Sequence, residues 1–278
     1  MLAYRISAKP PHVELREVDE PVPSPNETLV RVRAFSLNRG EVVDLARGNH
    51  GEAVGWDVAG VASTGERVVG VVRRGAWAEL VAVPTSQLAV IPDGVSDVDA
   101  ATLPTAGLTA LRSLELGGFL LGKRVLVSGA TGGVGRYAVQ LAELAGASVT
   151  GVRVADGLAE DFDLVVDAVG GASFSAAIEH LAPGGMVVNL ATGSPDETVS
   201  FRATQFDRSP GARIYTLNLL DELPRMDAAN GLARLMSLLA DGRLTAAIAL
   251  EAPWQELPRA IEALLARTIS GKAVLRIG

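Results

Sequence analysis

Two periodicities divide the chain. Up to about residue 100, apolar and polar side chains alternate in short runs, HVELREV, ETLVRVRAF, ERVVGVV and AELVAVP, separated by Pro, Gly and Asn. Alternation with period two, bounded by turn residues, predicts half-buried antiparallel strands and an irregular β domain. From about Ala100 the spacing changes. Long Ala/Leu stretches carry apolar positions at helical spacing, and between them lie the β-branched runs RVLVS, SVTGVRV, FDLVVDAV, GGMVVNL and ARIYTLNL. Strands alternating with helices predict a parallel sheet covered on both faces.

Two helices stand out. RYAVQLAELAG places Tyr137, Leu141 and Leu144 on one stripe and ends at Gly146, and ANGLARLMSLLADG is amphipathic in the same way. After Gly242 short elements return: AIAL, the helix QELPRAIEALLAR and a last strand, KAVLRI. This tail is expected to rejoin the first domain, giving a β domain over 1–103 and 243–278 and a nucleotide-type α/β domain over 104–242. The proline-dense EPVPSPNET reads as a hairpin connection.

Composition narrows the chemistry. With 278 residues, 48% of them hydrophobic, the chain can build a sizeable core. A net charge of −7 with no Lys/Arg-rich block argues against nucleic acid or an anionic membrane surface as partner. No apolar run approaches the roughly 18 residues of a membrane span, and the N-terminal stretch lacks the apolar core of a secretory signal, so a cytoplasmic protein is expected. There is no cysteine, which removes disulfides, thiolate nucleophiles and cysteine-ligated metals. The three histidines, His12, His50 and His180, share no metal-ligand spacing, and no metal site is expected.

The strand RVLV runs directly into SGATGGVG and then into the helix RYAVQLA. A helix that follows a tight glycine turn offers unpaired amides to an anion, and a dinucleotide diphosphate fits such a place. Ala130 takes the position of the first fingerprint glycine, followed by Thr131; Gly132 lets phosphate approach, and Gly135 lets helix and strand pack closely. Gly129 and Gly133 relax the turn further, and Val134 is a further expected contact. The next strand would end in an acidic residue if it bound a free ribose 2′-hydroxyl. Here that position holds Arg153, which suits a 2′-phosphate and favours NADP(H) over NAD(H).

Together these segments resemble the medium-chain dehydrogenase/reductase superfamily, in its zinc-independent quinone oxidoreductase and enoyl reductase branch. VRVRAFSLNRGEVVDLARG, GWDVAGVAS, GAWAELVAVP, LPTAGLTALRSL, SGATGGVGRYAVQLA and TISGKAVLRI carry the likeness along nearly the whole chain. The resemblance implies a Rossmann-type doubly wound parallel sheet, a GroES-like β domain and a homodimer. It implies catalytic-side roles for Asn38, Trp77 and Thr109, and cofactor contacts from Thr105, Val169, Asn189, Leu190, Ala191, Thr192, Leu217 and Asn218. Lys272, before the last strand, is a candidate anion contact. Where zinc-dependent relatives carry metal ligands, this chain has Ser36 to Asn38 and Gly55-Trp56-Asp57.

The chain departs from the family in two places. Only Ala155 to Asp161 separate SVTGVRV from FDLVVDAV, where relatives carry a further helix and strand, so the sheet should lack one edge αβ unit. The tyrosine that polyketide-type enoyl reductases use as proton donor falls on Asn49, leaving His50 beside it as the candidate acid. The implied activity is NADPH-dependent reduction of a conjugated enone or a quinone. The alternative is a redox-inactive member of the fold, serving as a binding module or a non-redox cyclase.

Overall fold

The alternating runs fold as antiparallel strands. The computed structural model describes residues 1–191 and 196–278. It begins with β1 (Leu2–Ile6) and β2 (Val13–Glu17), a two-stranded sheet with Leu2 opposite Glu17. Then come β3 (Glu27–Leu37), α1 (Arg39–Asp44), β4 (Asp57–Ala62), β5 (Arg67–Val71), β6 (Leu80–Pro84), β7 (Leu88–Val90) and α2 (Asp97–Ala101). β3 pairs with β4 and β6, β4 with β5, and β5 with β7, all antiparallel. EPVPSPNET is not a hairpin: it joins β2 to β3, which lie in different sheets. Its prolines have no N–H to give a ladder.

The α/β half follows: α3 (Pro104–Leu116), β8 (Arg124–Ser128), α4 (Gly133–Leu144), β9 (Ser148–Val152), β10 (Phe162–Asp167), α5 (Gly171–Glu179), β11 (Leu181–Asn189), α6 (Gln205–Arg208), β12 (Arg213–Thr216) and α7 (Leu219–Glu222). Its strands form a five-stranded sheet in the order β12-β11-β10-β8-β9, parallel throughout. β8 and β10 read as continuous apolar runs because both their faces are covered. β9 is the edge strand, and residues 153–161 cross to the far side of β8 without forming another strand. The edge αβ unit is therefore absent, as the short spacing implied. On α4 the buried stripe is Gly135, Tyr137, Ala138, Leu141 and Ala142. Leu144, expected on that stripe, is instead 39% exposed, being the last residue of the helix.

The tail contributes α8 (Ala228–Ala240), β13 (Ile248–Pro253), α9 (Leu257–Leu265) and β14 (Lys272–Arg276). β14 pairs antiparallel with β3 and parallel with β13, so the last strand completes the large sheet of the first half. The Tyr4 hydroxyl donates to the Trp254 carbonyl at 3.1 Å, and the two rings meet edge-on at 5.6 Å. Two compact units result, Met1–Leu108 with Leu223–Gly278, and Thr109–Glu222. The division differs from the sequence-based one chiefly at α8, which that reading gave to the α/β half. α8 lies against β5 and β7, and belongs with the β unit for that reason.

Candidate cofactor site and a buried charge cluster

The parallel sheet ends in one row. Val152, Ser128, Asp167, Asn189 and Thr216 are the last residues of their strands and stand side by side in register. Expected cofactor contacts follow these strand ends: Arg153, Leu190 and Leu217 immediately, and Ala130 and Val169 two residues past Ser128 and Asp167. Strand order reverses between β8 and β10, and at the carboxyl ends of such strands open α/β sheets hold their ligands.

The glycine loop has the geometry of a phosphate cradle. Gly129 sits at φ +72°, and its amide donates to the Arg153 carbonyl at 3.2 Å, while the Ala130 amide donates to the Val152 carbonyl at 3.0 Å. These two bonds fix the loop to the end of β9. A Cβ on Gly135 would lie 2.1 Å from the Gly129 carbonyl oxygen, a contact only glycine avoids. Gly132 is the N-cap of α4 and no side chain caps the helix, so the first amides, of Gly133 and Val134, keep their donors for an exogenous anion. The residues fit a dinucleotide diphosphate.

Arginine side chains flank that loop. Arg153 is exposed and has no ion-pair or side-chain hydrogen-bond partner among the described residues, next to the point where the Gly129 amide meets its own carbonyl. Arg136, in the first turn of α4, folds back so that its Nε donates to the Thr131 carbonyl at 3.1 Å.

A buried carboxylate holds the cradle's floor. Asp167 is fully buried and accepts from the hydroxyls of Ser128 and Ser173, from the Gly170 amide at 2.9 Å and from Asn189 Nδ2 at 3.0 Å. It joins the ends of β8, β10 and β11 to the start of α5. Asn189 also donates to the Ala191 carbonyl at 2.9 Å, and Leu190 donates its amide to the Asp167 carbonyl at 2.8 Å. The Asn189 amide group is therefore a fixture of the loop. The Leu217 amide donates to the Asn189 carbonyl at 2.9 Å, and the exposed Asn218 opens α7, its Oδ1 accepting from the Leu220 amide at 3.1 Å. Thr109 is buried in α3, its carbonyl accepting from the Ser113 hydroxyl. Thr192 lies outside the described residues.

In the β unit, Asn38 is the centre of a buried charge cluster. Its Nδ2 donates to Glu41 Oε1 at 3.1 Å and to Asp57 Oδ2 at 2.8 Å, and its Oδ1 accepts from Lys272 Nζ at 2.5 Å. Asp57 is wholly buried and accepts from the Ser36 hydroxyl at 2.6 Å, from Lys272 at 3.3 Å, and from the Thr105 amide and hydroxyl at 2.8 and 2.5 Å. Lys272, 2% exposed, spends its third donor on the Leu37 carbonyl at 2.9 Å. It is a core cation and has no donor left for a cofactor or substrate anion, which corrects the expectation for that residue. The Asn38 and Thr105 side chains are committed in the same way. They tie the starts of α1 and α3 to Asp57.

Glu41 is the least expected member. Its Oε1 accepts from the Asn38 amide at 2.6 Å, the reciprocal arm of a capping box on α1, while Oε2 is buried with no hydrogen-bond partner among the described residues. Burial, and then the nearby Asp57 carboxylate, push its pKa well above the ordinary glutamate value, against the weaker pull of Lys272 and of the Asn38 hydrogen bonds. In LNRGEVVD this residue sits among Asn, Arg, Gly and Asp, as a surface position would. The capping spacing from Asn38 to Glu41 was the available signal.

Two expected catalytic residues lie elsewhere. Trp77 is fully buried, stacked on Phe35 at 5.9 Å as part of the β unit's core, with Nε1 unpartnered among the described residues. His50 is exposed on the turn after α1, its Nε2 2.8 Å from Arg16 Nη2 and 3.9 Å from Glu14. Among the described residues no bond joins it to the Asn38 cluster.

Among the described residues no group of three or more His, Asp and Glu is arranged to hold a metal, and no helix is long and apolar enough to cross a membrane. A zinc-binding dehydrogenase family model matches residues 144–275. The chain is 32% identical over 234 residues to a chloroplast envelope quinone oxidoreductase homolog of Arabidopsis thaliana, covering 64% of this chain and 71% of that protein. It is 23% identical to the acryloyl-coenzyme A reductase of Metallosphaera sedula, over 94% of this chain and 96% of that one. It is also similar to a Mycobacterium tuberculosis mycocerosic acid synthase-like polyketide synthase, 26% identical over 95% of this chain, and spans 15% of the length of that protein. Among solved structures, the quinone oxidoreductase of Thermus thermophilus, also solved in complex with NADPH, superimposes with a TM-score of 0.82 at 26% identity over all of both chains.

Proposed function

Because the chain belongs to the medium-chain dehydrogenase/reductase superfamily, we propose that it is an NADPH-dependent, metal-independent reductase that delivers hydride to a conjugated enone or a quinone. The observation that carries this reading is the uncapped start of α4, closed from behind by the Gly129–Gly135 contact and bordered by the unpaired Arg153. The NADPH complex of the Thermus relative and the acryloyl-coenzyme A reductase among the other relatives support the cofactor and the conjugated substrate.

When bound, the reduced nicotinamide supplies a hydride, and the protein supplies geometry. The Gly133 and Val134 amides would hold the diphosphate, and Arg153 would pair with the 2′-phosphate. The residues just past β10 and β12, with Leu190 and Ala191 past β11, would border the rest of the cofactor, held in place by Asp167 and Asn189. Hydride added to the β-carbon of an enone leaves an enolate that takes its proton from water, so the reaction needs neither the absent tyrosine nor His50. Metal independence is supported by the lack of cysteine and by Lys272, whose ammonium already neutralises Asp57.

The test is turnover of the purified protein with NADPH and a panel of enones, enoyl thioesters and quinones. Loss of the reduced-nicotinamide absorbance that needs both reactants and persists in a chelator is the expected result. A protein that NADPH stabilises but that oxidises none of it with any acceptor is the redox-inactive alternative.

A further inference from the structure

The first turn of α4 carries a cation where helix stability disfavours one. The N-terminal end of a helix has positive potential, so Arg136, on the fourth residue of α4, is repelled by the peptide dipoles around it. No carboxylate compensates it: Arg136 makes no ion pair among the described residues, and its Nη groups carry no hydrogen bond there. The side chain is nonetheless held. Its Nε donates to the carbonyl of Thr131, within the glycine loop, at 3.1 Å, and Gln140 Nε2 donates to its carbonyl at 3.1 Å. The guanidinium is thus tied through Nε to the glycine loop, with its outer nitrogens unspent. A bound dianion would reverse the unfavourable local potential.

We propose that Arg136 is a diphosphate-binding residue that works beside Arg153, one guanidinium reading the linkage common to all dinucleotides and the other reading the 2′-phosphate. The proposal rests on the NADPH reading above. It follows from the edge position of β9 as well: with no αβ unit beyond that strand, the adenosine end has less protein to bind, and charge on the phosphates carries more of the affinity.

The experiment is a binding titration of NADPH and NADH against the wild type, Arg136→Gln, Arg136→Lys and Arg153→Gln, with the melting temperature of each unliganded protein. Arg136→Gln is expected to weaken both nucleotides by the same factor, about 5- to 10-fold for a lost charge-assisted contact at an exposed site. Arg136→Lys recovers part of that loss, and Arg153→Gln weakens NADPH alone. The unliganded Arg136→Gln protein melts no lower than the wild type, because a cation has left the positive end of the helix; a purely structural arginine would lower stability and affinity together. Affinities within twofold of the wild type for Arg136→Gln overturn the proposal, as does a loss confined to NADPH. A wild type that binds neither nucleotide overturns the NADPH reading itself, an outcome separate from an intact Arg136→Gln.

Discussion

Lys272 shows how a residue's role turns on the direction of its side chain. In sequence it is a lone cation before the last strand, available to any anion. In the structure β14 pairs with β3, which turns the ammonium onto Asp57, Asn38 and the Leu37 carbonyl. Removing one member of a buried ion pair leaves the other charged and unpaired, so Lys272→Met should cost roughly 3–5 kcal/mol in urea denaturation. NADPH affinity of the folded fraction should be unchanged. Glu41 gives the cluster a pH dependence. Its folded pKa lies above the ordinary value, so the unfolded chain ionises first. The stability it contributes is complete below the ordinary glutamate range and is lost as pH rises through the raised value. Urea midpoints should fall across that interval in the wild type, and Glu41→Gln, which keeps Oε1 as acceptor, should flatten the fall. None of this cluster was legible beyond the capping spacing, because its members come from β3, α1, β4, α3 and β14.

At the scale of elements, strand and helix identities were largely legible, since period and turn residues are local properties. RVLVS, FDLVVDAV and KAVLRI became strands, and the glycine loop opened a helix at Gly133. Partner choice was not legible. The proline segment after β2 crosses between sheets, and α8 joins the β unit, because each is decided by a surface far away in the chain. The candidate site split the same way. Loop backbone positions followed from the motif, whereas Asn38, Thr105 and Trp77 are turned inward by contacts that no local pattern encodes. The turn into α4 supplies the sharpest prediction at this scale. Gly135→Ala sets a methyl 2.1 Å from the Gly129 oxygen, and either the helix or the loop must move. Overpacking of this kind costs about 1–3 kcal/mol. The displaced amides should also lose NADPH, seen as a lowered melting temperature that the nucleotide no longer raises.

For the whole molecule, the parallel sheet presents one row of strand ends, and the cofactor contacts expected within the described residues of the α/β unit lie along it: Asn189 at the end of β11, the loops that follow the strands, and the first turn of α4. The departure from the family's usual sheet is at β9, which forms the edge of the sheet. The most direct measurement is an experimental structure of the protein with NADPH bound. The expected result is diphosphate oxygens within about 3 Å of the Gly133 and Val134 amides, at hydrogen-bonding distance, and the 2′-phosphate against Arg153. A nucleotide seated anywhere else, or a cradle filled by the protein's own side chains at saturating NADPH, would contradict it.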